Sequence, residues 1–253
     1  MIISTKLNLK NFLIAVYDVV MPRVCVVCGR RLSLRERIIC LTCKSDFPYS
    51  HFELNIRNRM ADFYNERLNE KMPDFVFPYQ YAISLMRYST GSSYNRIVWS
   101  LKYEGNFTAG RFFSEKLADK LLQAKWFSDV DLIVPVPSHP LRRWRRGYNQ
   151  AEVIAKSLAE KLCVRFEPNF LLKRRYTKSQ VKVRTANRVS NIEGSFIMNR
   201  RFITNLDQFN HILLVDDVFT TGATLSECHK IIRTTLKNRM VRISVATIAC
   251  VRN

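Results

Sequence analysis

Apolar residues along this chain fall into two kinds of run. Short continuous runs, at 131–136 and 212–215, are bounded by charged or turn-forming residues and predict strands buried on both faces. Other segments carry apolar residues at helical spacing. Phe113, Leu117 and Leu121 share one face of a helix over 110–123, and Ala151, Ile154, Ala155, Leu158 and Leu162 do the same over 150–162. In chain order the pattern predicts a strand over 79–88, a helix over 92–101, a turn over 102–106, then the helix over 110–123 and the strand over 131–136. The helix over 150–162 comes next, then the strand over 212–215, a helix over 224–236 and a last strand over 241–251. Alternation of apolar strands with amphipathic helices predicts an α/β fold with a mainly parallel, doubly wound sheet.

Upstream of this domain the periodicity weakens. A helix over 56–68 and a linker holding Pro73 and Pro78 lead into it, and Leu9, Phe12, Leu13, Val16 and Val20 mark a short amphipathic helix near the start. The expected organisation is an N-terminal helix and cysteine module over 1–48, a linker and helix over 49–78, and the α/β domain over 79–253. Residues 174–191 are strongly polar and offer no core face.

Composition is ordinary for a packed chain of 253 residues, with 47% hydrophobic and 25% charged positions. The balance of charge is not ordinary. Forty-one Lys and Arg against 21 Asp and Glu leave a net +20. An excess of that size points to a polyanionic partner. No secretory core opens the chain and no apolar run reaches the length of a membrane span, so a cytoplasmic protein is expected. Approach to the inner face of the cytoplasmic membrane would then run through partners.

Of the seven cysteines, Cys25 and Cys28 form one two-residue-spaced pair, and Cys40 and Cys43 form another after eleven residues. Two such knuckles supply four thiolates to one tetrahedral Zn²⁺, a closed and therefore structural site. The segment holds too few apolar residues to fold unaided, so the metal is expected to contribute much of its folding energy. Cys163, Cys228 and Cys250 lie in apolar contexts and are expected in the core.

The stretch from Ile212 to Thr224 carries the most chemistry. Four strand residues run into Asp216 and Asp217, then into Thr220, Thr221, Gly222, Ala223 and Thr224 at a helix start. Small residues there expose backbone N–H groups where the helix dipole favours a phosphate, and the threonine hydroxyls add donors. Carboxylates placed one turn earlier can accept hydrogen bonds from sugar hydroxyls. Acids followed by a phosphate cradle read as a ribose 5-phosphate binder. The competing reading is an acid-complemented helix cap, which one Asp would satisfy.

This stretch resembles the fingerprint of type I phosphoribosyltransferases, which bind phosphoribosyl pyrophosphate (PRPP), and every fingerprint position is met. Further segments resemble the ComF family, the competence protein F branch of that superfamily. They are Val134-Pro-Val-Pro with His139 and Pro140; Arg146-Gly-Tyr-Asn-Gln-Ala; Thr177, Ser179 and Gln180 with Arg188; Leu101-Lys-Tyr; and the cysteine knuckles. The likeness extends from Val20 to Val251. Two positions depart from it: Lys182 stands for the glycine of the flexible segment, and Tyr148 for a phenylalanine.

The resemblance implies a type I phosphoribosyltransferase-like fold behind a zinc module, and PRPP with Mg²⁺ as ligand. Asp216 and Asp217 would hold the ribose, and Thr220 to Thr224 the 5-phosphate. Pyrophosphate would sit after the strand over 131–136, where Arg142, Arg143, Arg145 and Arg146 crowd a proline-rich turn. Asn149 and Gln150 would cap the next helix or orient ligand. Residues around 173–191 would form a basic flap carrying Gln180 and Arg188; seven basic residues and no acid lie in 171–190. Trp144, Tyr148 and Tyr176 interleave with these charges as in proteins that stack single-stranded bases.

Nothing identifies a base acceptor, so PRPP binding is better supported than turnover. The preferred expectation is a ComF-like protein that handles single-stranded DNA during natural transformation, alongside a DNA-uptake helicase or recombination mediator. The alternative is a basic nucleotide-salvage or biosynthetic phosphoribosyltransferase acting on PRPP.

Overall fold

The computed structural model describes residues 22–76, 78–174, 194–203, 209–236 and 241–251. The helix expected near the start, and Tyr176, Thr177, Ser179, Gln180, Lys182 and Arg188 of the basic segment, lie outside these residues. The second cysteine knuckle opens a short helix, α1 (Leu41–Ser45). Helix α2 (Arg59–Lys71) starts where the Asn58 side chain accepts the Ala61 N–H at 3.0 Å, three residues later than the periodicity alone predicts. Strand β1 (Ala82–Tyr88) leads to α3 (Asn95–Trp99), which widens into a π-helical turn, Ser100–Glu104, closed by Gly105 at φ 62°. The helix expected over 92–101 is thus shorter, and the expected turn is helical.

Helix α4 (Phe107–Gln123) and strand β2 (Leu132–Pro135) follow. The proline-rich turn then proves to hold a helix, α5 (Pro140–Arg146). His139 caps it by accepting the Leu141 N–H at 3.1 Å, Pro140 supplies a preset φ at its first position, and Gly147 at φ 79° ends it. Helix α6 (Gln150–Leu162) matches its expected span. Short strands β3 (Arg165–Phe166), β4 (Leu171–Lys173) and β5 (Phe196–Met198) come next. Strand β6 (His211–Phe219), helix α7 (Ala223–Leu236) and strand β7 (Arg242–Val251) complete the described chain.

Five strands form one parallel sheet in the order β1-β7-β6-β2-β3, and β4 pairs antiparallel with β5 beside it. The doubly wound α/β expectation holds. Strands β6 and β7 lie inside the sheet and are buried on both faces, and the apolar run at 212–215 reflects this in β6. Going from β1 to β2 and from β2 to β3 carries the chain toward one edge, whereas β6 to β7 carries it back. Right-handed crossovers in opposite directions place their helices on opposite faces. Accordingly α4 and α6 pack together against the sheet, while α7 packs with α2. The direction switches between β2 and β6, and there the strand ends splay into a crevice.

The cysteine module shares this core. Val26, Val27, Ile39 and Phe47 are buried in one cluster with the sheet residues, and the Phe47 ring stacks on Phe113 at 5.8 Å. Residues 48–50 run antiparallel along the edge of β1, through Arg87 N–H to Pro48 O at 2.9 Å and Ser50 N–H to Leu85 O at 3.1 Å. That pairing covers an edge that would otherwise be open to other strands. Cys228 and Cys250 are buried as expected, but Cys163 is exposed. It terminates α6 at φ 55°, a left-handed position beyond the last apolar turn. No helix among the described residues is long and apolar enough to cross a membrane.

Candidate functional site

Two centres collect the candidate residues. In the first, the sulfurs of Cys25, Cys28, Cys40 and Cys43 all lie within 4.8 Å of one another, with Cys28 Sγ and Cys40 Sγ 3.8 Å apart. Four thiolates at about 2.3 Å from one zinc ion would stand about 3.8 Å from each other, so the cluster fits a closed structural zinc site. Backbone N–H groups already face the sulfurs: Cys40 N–H points at Cys25 Sγ and Cys43 N–H at Cys40 Sγ, each at 3.4 Å. So crowded a set titrates unlike isolated thiols. The Cys43 amide helps hold Cys40 down to about 7, whereas burial beside the other sulfurs pushes Cys43 up.

A residue that the cysteine spacing does not reveal holds the two knuckles together. Glu36 accepts N–H bonds from Ser33 at 2.8 Å and Leu41 at 2.7 Å, and pairs with Arg30 at 3.0 Å. The two amide donors keep its carboxyl at about 2, well below the usual range.

The second centre is a cleft of about 520 Å³ at the carboxyl ends of β2 and β6, where the sheet changes direction. Strand β6 runs four residues further than its apolar segment, so Asp216 and Asp217 are strand residues, with Asp216 in register with Thr247 of β7, not loop residues. Both line the cleft, as do Thr220 and Thr224 beyond them. Thr221, Gly222 and Ala223 do not. Gly222 is buried at φ 68°, and a Cβ there would come within 2.9 Å of the Phe219 ring. Its glycine character therefore serves the turn and its packing on Phe219. Thr221 Oγ1 accepts the Ala223 N–H at 3.5 Å, at the entry to α7.

From the β2 side, Arg142 and Arg146 also line the cleft. They stand four residues apart on α5 and so share a face, whereas Arg143 pairs with Glu152 at 3.3 Å. Asn149 lines the cleft but makes no capping bond at the start of α6. Its Nδ2 instead donates to Val136 O at 3.0 Å, pinning the turn after β2. Gln150 is buried beside it and reaches the same cavity.

Two lysines distant in sequence complete the wall. Lys102, from the π-helical turn, sets its Nζ 3.2 Å from Asp217 Oδ2. Burial disfavours its charge, but Asp217 and Asp216 outweigh that cost and its pKa is raised. Lys173, at the end of β4, is lowered by burial and then by Arg142. Asp216 is driven the other way. Burial and the adjacent Asp217 charge raise it to about 7. The floor thus holds one carboxylate already paired and one poised to carry a proton, ringed by cations. Such a floor suits a ligand with hydroxyls at one end and phosphate at the other.

A parallel sheet crossed at its switch point by this cleft, with a small antiparallel hairpin beside it, is the type I phosphoribosyltransferase-like fold, here fronted by a four-cysteine module. No family model matches the chain. Relatives narrow the class further. The chain is 30% identical over 140 residues to competence protein F of Haemophilus influenzae, an alignment covering 54% of this chain and 60% of that protein's length. It is 24% identical over 225 residues, 88% of each chain, to DNA utilization protein YhgH of Escherichia coli. It is 28% identical over 131 residues to competence protein ComFC of Streptococcus pneumoniae, covering 52% of this chain and 53% of that one. The names of these relatives, two competence proteins and a DNA utilization protein, support the resemblance to the ComF family.

Proposed function

We propose that this protein handles single-stranded DNA during natural transformation and that its cleft binds PRPP or a related ribose phosphate. The relatives' names, competence proteins and DNA utilization proteins, support the first half, together with the net charge of +20. The observation that carries the second is the convergence of Asp216, Asp217, Thr220 and Thr224 with Arg142 and Arg146 on one cavity at the sheet's switch point.

In this reading Asp216 and Asp217 accept hydrogen bonds from the ribose hydroxyls, and Lys102 gives up part of its hold on Asp217 as they do so. Thr220 and Thr224 take the 5-phosphate at the entry to α7, and Gly222 sets the path of the turn between them. Arg142 and Arg146 face the pyrophosphate end, with Asn149 and Gln150 fixing the floor beneath it. A magnesium ion bound with PRPP would neutralise the pyrophosphate oxygens. Gln180 and Arg188, outside the described residues, would close over the ligand from the basic segment. The four cysteines hold Zn²⁺ and keep the strap along β1 in place. The protein would act on the cytoplasmic face of DNA uptake, next to a helicase or recombination mediator.

Titrating PRPP with Mg²⁺ and a single-stranded oligonucleotide against each other tests this. Binding of both, with the oligonucleotide's affinity falling steeply as salt rises, is expected. Failure of the oligonucleotide to bind at low salt would end the DNA half, and failure of PRPP to bind would end the other.

A further inference from the structure

Two large aromatic rings stand half-exposed at the mouth of the cleft. Trp99 is 50% exposed and Tyr103 56%, and both line the same cavity as the acids and arginines. Their ring centroids are 5.6 Å apart at 44°, and the Arg146 guanidinium carbon lies 5.0 Å from the Tyr103 ring centre. Single exposed apolar side chains are common and need no partner. A contiguous aromatic pair capped by a guanidinium, at the rim of a cationic cavity, is a different feature.

The platform is also held firmly. Trp99 ends α3 and Tyr103 sits in the π-helical turn that continues it. Tyr94, at the start of α3, donates its hydroxyl to Cys43 O at 2.9 Å, and the Tyr148 hydroxyl donates to Leu101 O. The cysteine module and the turn after α5 therefore brace the segment from both sides. Rings fixed in this way lose little freedom when a planar partner stacks on them.

We infer that Trp99 and Tyr103 form a base-stacking subsite through which a single DNA strand crosses the mouth of the cleft. This deepens the DNA-handling reading above and rests on it. Bases stack on the two rings, and the flanking phosphates meet Arg146 and Arg142. Charge complementarity selects the occupant: Arg142 and Arg146 are partly exposed beside the rings, whereas Asp217 is buried. Duplex DNA, whose bases are already stacked, cannot use the rings.

The test compares Trp99→Ala and Tyr103→Ala with the parent protein in binding a short fluorescent oligo-dT, an abasic oligomer of equal length, and ribose 5-phosphate. Both side chains are exposed, so melting temperature and zinc content should match the parent's. Each substitution is expected to weaken oligo-dT binding about ten-fold or more, the usual worth of one stacked base. Abasic-oligomer binding should be weak throughout, and ribose 5-phosphate affinity should not move. A Trp126→Phe/Trp144→Phe background leaves Trp99 as the single tryptophan, whose emission oligo-dT should quench and the abasic oligomer should not. Unchanged oligo-dT affinity in both alanine variants, with a parent that binds well, would remove the subsite and leave the DNA-handling reading intact. Equal losses for oligo-dT and ribose 5-phosphate would also overturn it, by making the rings part of the sugar-phosphate site. A parent that binds no oligo-dT would remove both.

Discussion

The four-cysteine centre and the cleft solve opposite problems with similar materials. Each gathers charged side chains at a backbone turn. In the cysteine module the groups satisfy one another: the sulfurs face one point, amide donors face two of them, and Glu36 binds the surrounding loops. In the cleft the charges are left partly uncompensated, with Asp216 raised to about 7 and Lys173 lowered by burial. A centre whose groups are spent on one another holds a structure together. One that keeps charge strained and accessible is prepared for a ligand.

The sharpest way to break this contrast is to remove a cysteine. Cys40→Ser should abolish stoichiometric zinc and destabilise the whole protein by several kcal/mol, because the module shares the sheet's core and zinc binding to small cysteine modules is worth about 10 kcal/mol or more. Thermal melting with metal analysis checks it; an unchanged melting point would make the module a passenger. Gly222→Ala comes next. Positive φ and a Cβ 2.9 Å from Phe219 should cost about 2 kcal/mol in urea denaturation and disturb the turn between Thr220 and Thr224 as well.

A smaller effect, with a definite sign, concerns Asp216. Its folded pKa lies above the unfolded value, so its contribution to stability is present below about pH 4 and is lost as pH rises through about 7. Asp216→Asn removes that loss. The variant should match the parent near pH 4 and exceed it at pH 8 by about 1 kcal/mol or more, one pKa unit being worth about 1.4 kcal/mol. Melting curves across that range decide it, and a stability gain that does not vary with pH would refute the ionisation argument. The smallest contrast lies within α5. Arg142→Ala should weaken PRPP binding about ten-fold, whereas Arg143→Ala, which breaks an exposed pair with Glu152, should alter neither affinity nor stability beyond about 0.5 kcal/mol.

The sheet was legible wherever burial made strands continuously apolar, as at 212–215, and helices wherever one face was apolar, as over 150–162. Helix α5 escaped because it buries none of its residues and so has no apolar periodicity; its start and stop rest on His139, Pro140 and Gly147. The last part of β6 escaped because Asp216 and Asp217 look like a loop on hydropathy alone, although backbone pairing with β7 continues past them. The acids, threonines, arginines and cysteines of the two centres carry local spacing signals. Lys102 and Lys173 do not, because their partners are brought to them by tertiary packing, and Glu36 does not because its partners, though within six residues, are mostly loop amides that no residue spacing marks. Cys163 was misplaced in the core because periodicity does not mark where a helix stops facing it.

Calorimetric titration of PRPP with Mg²⁺ into the parent protein and into the Asp216→Asn/Asp217→Asn double variant tests the cleft most directly. Saturable one-to-one binding by the parent, lost in a double variant that still melts cooperatively and retains zinc, is the predicted result. Binding that survives both substitutions unchanged, or that the parent itself lacks, would contradict the assignment of this cavity to a ribose phosphate.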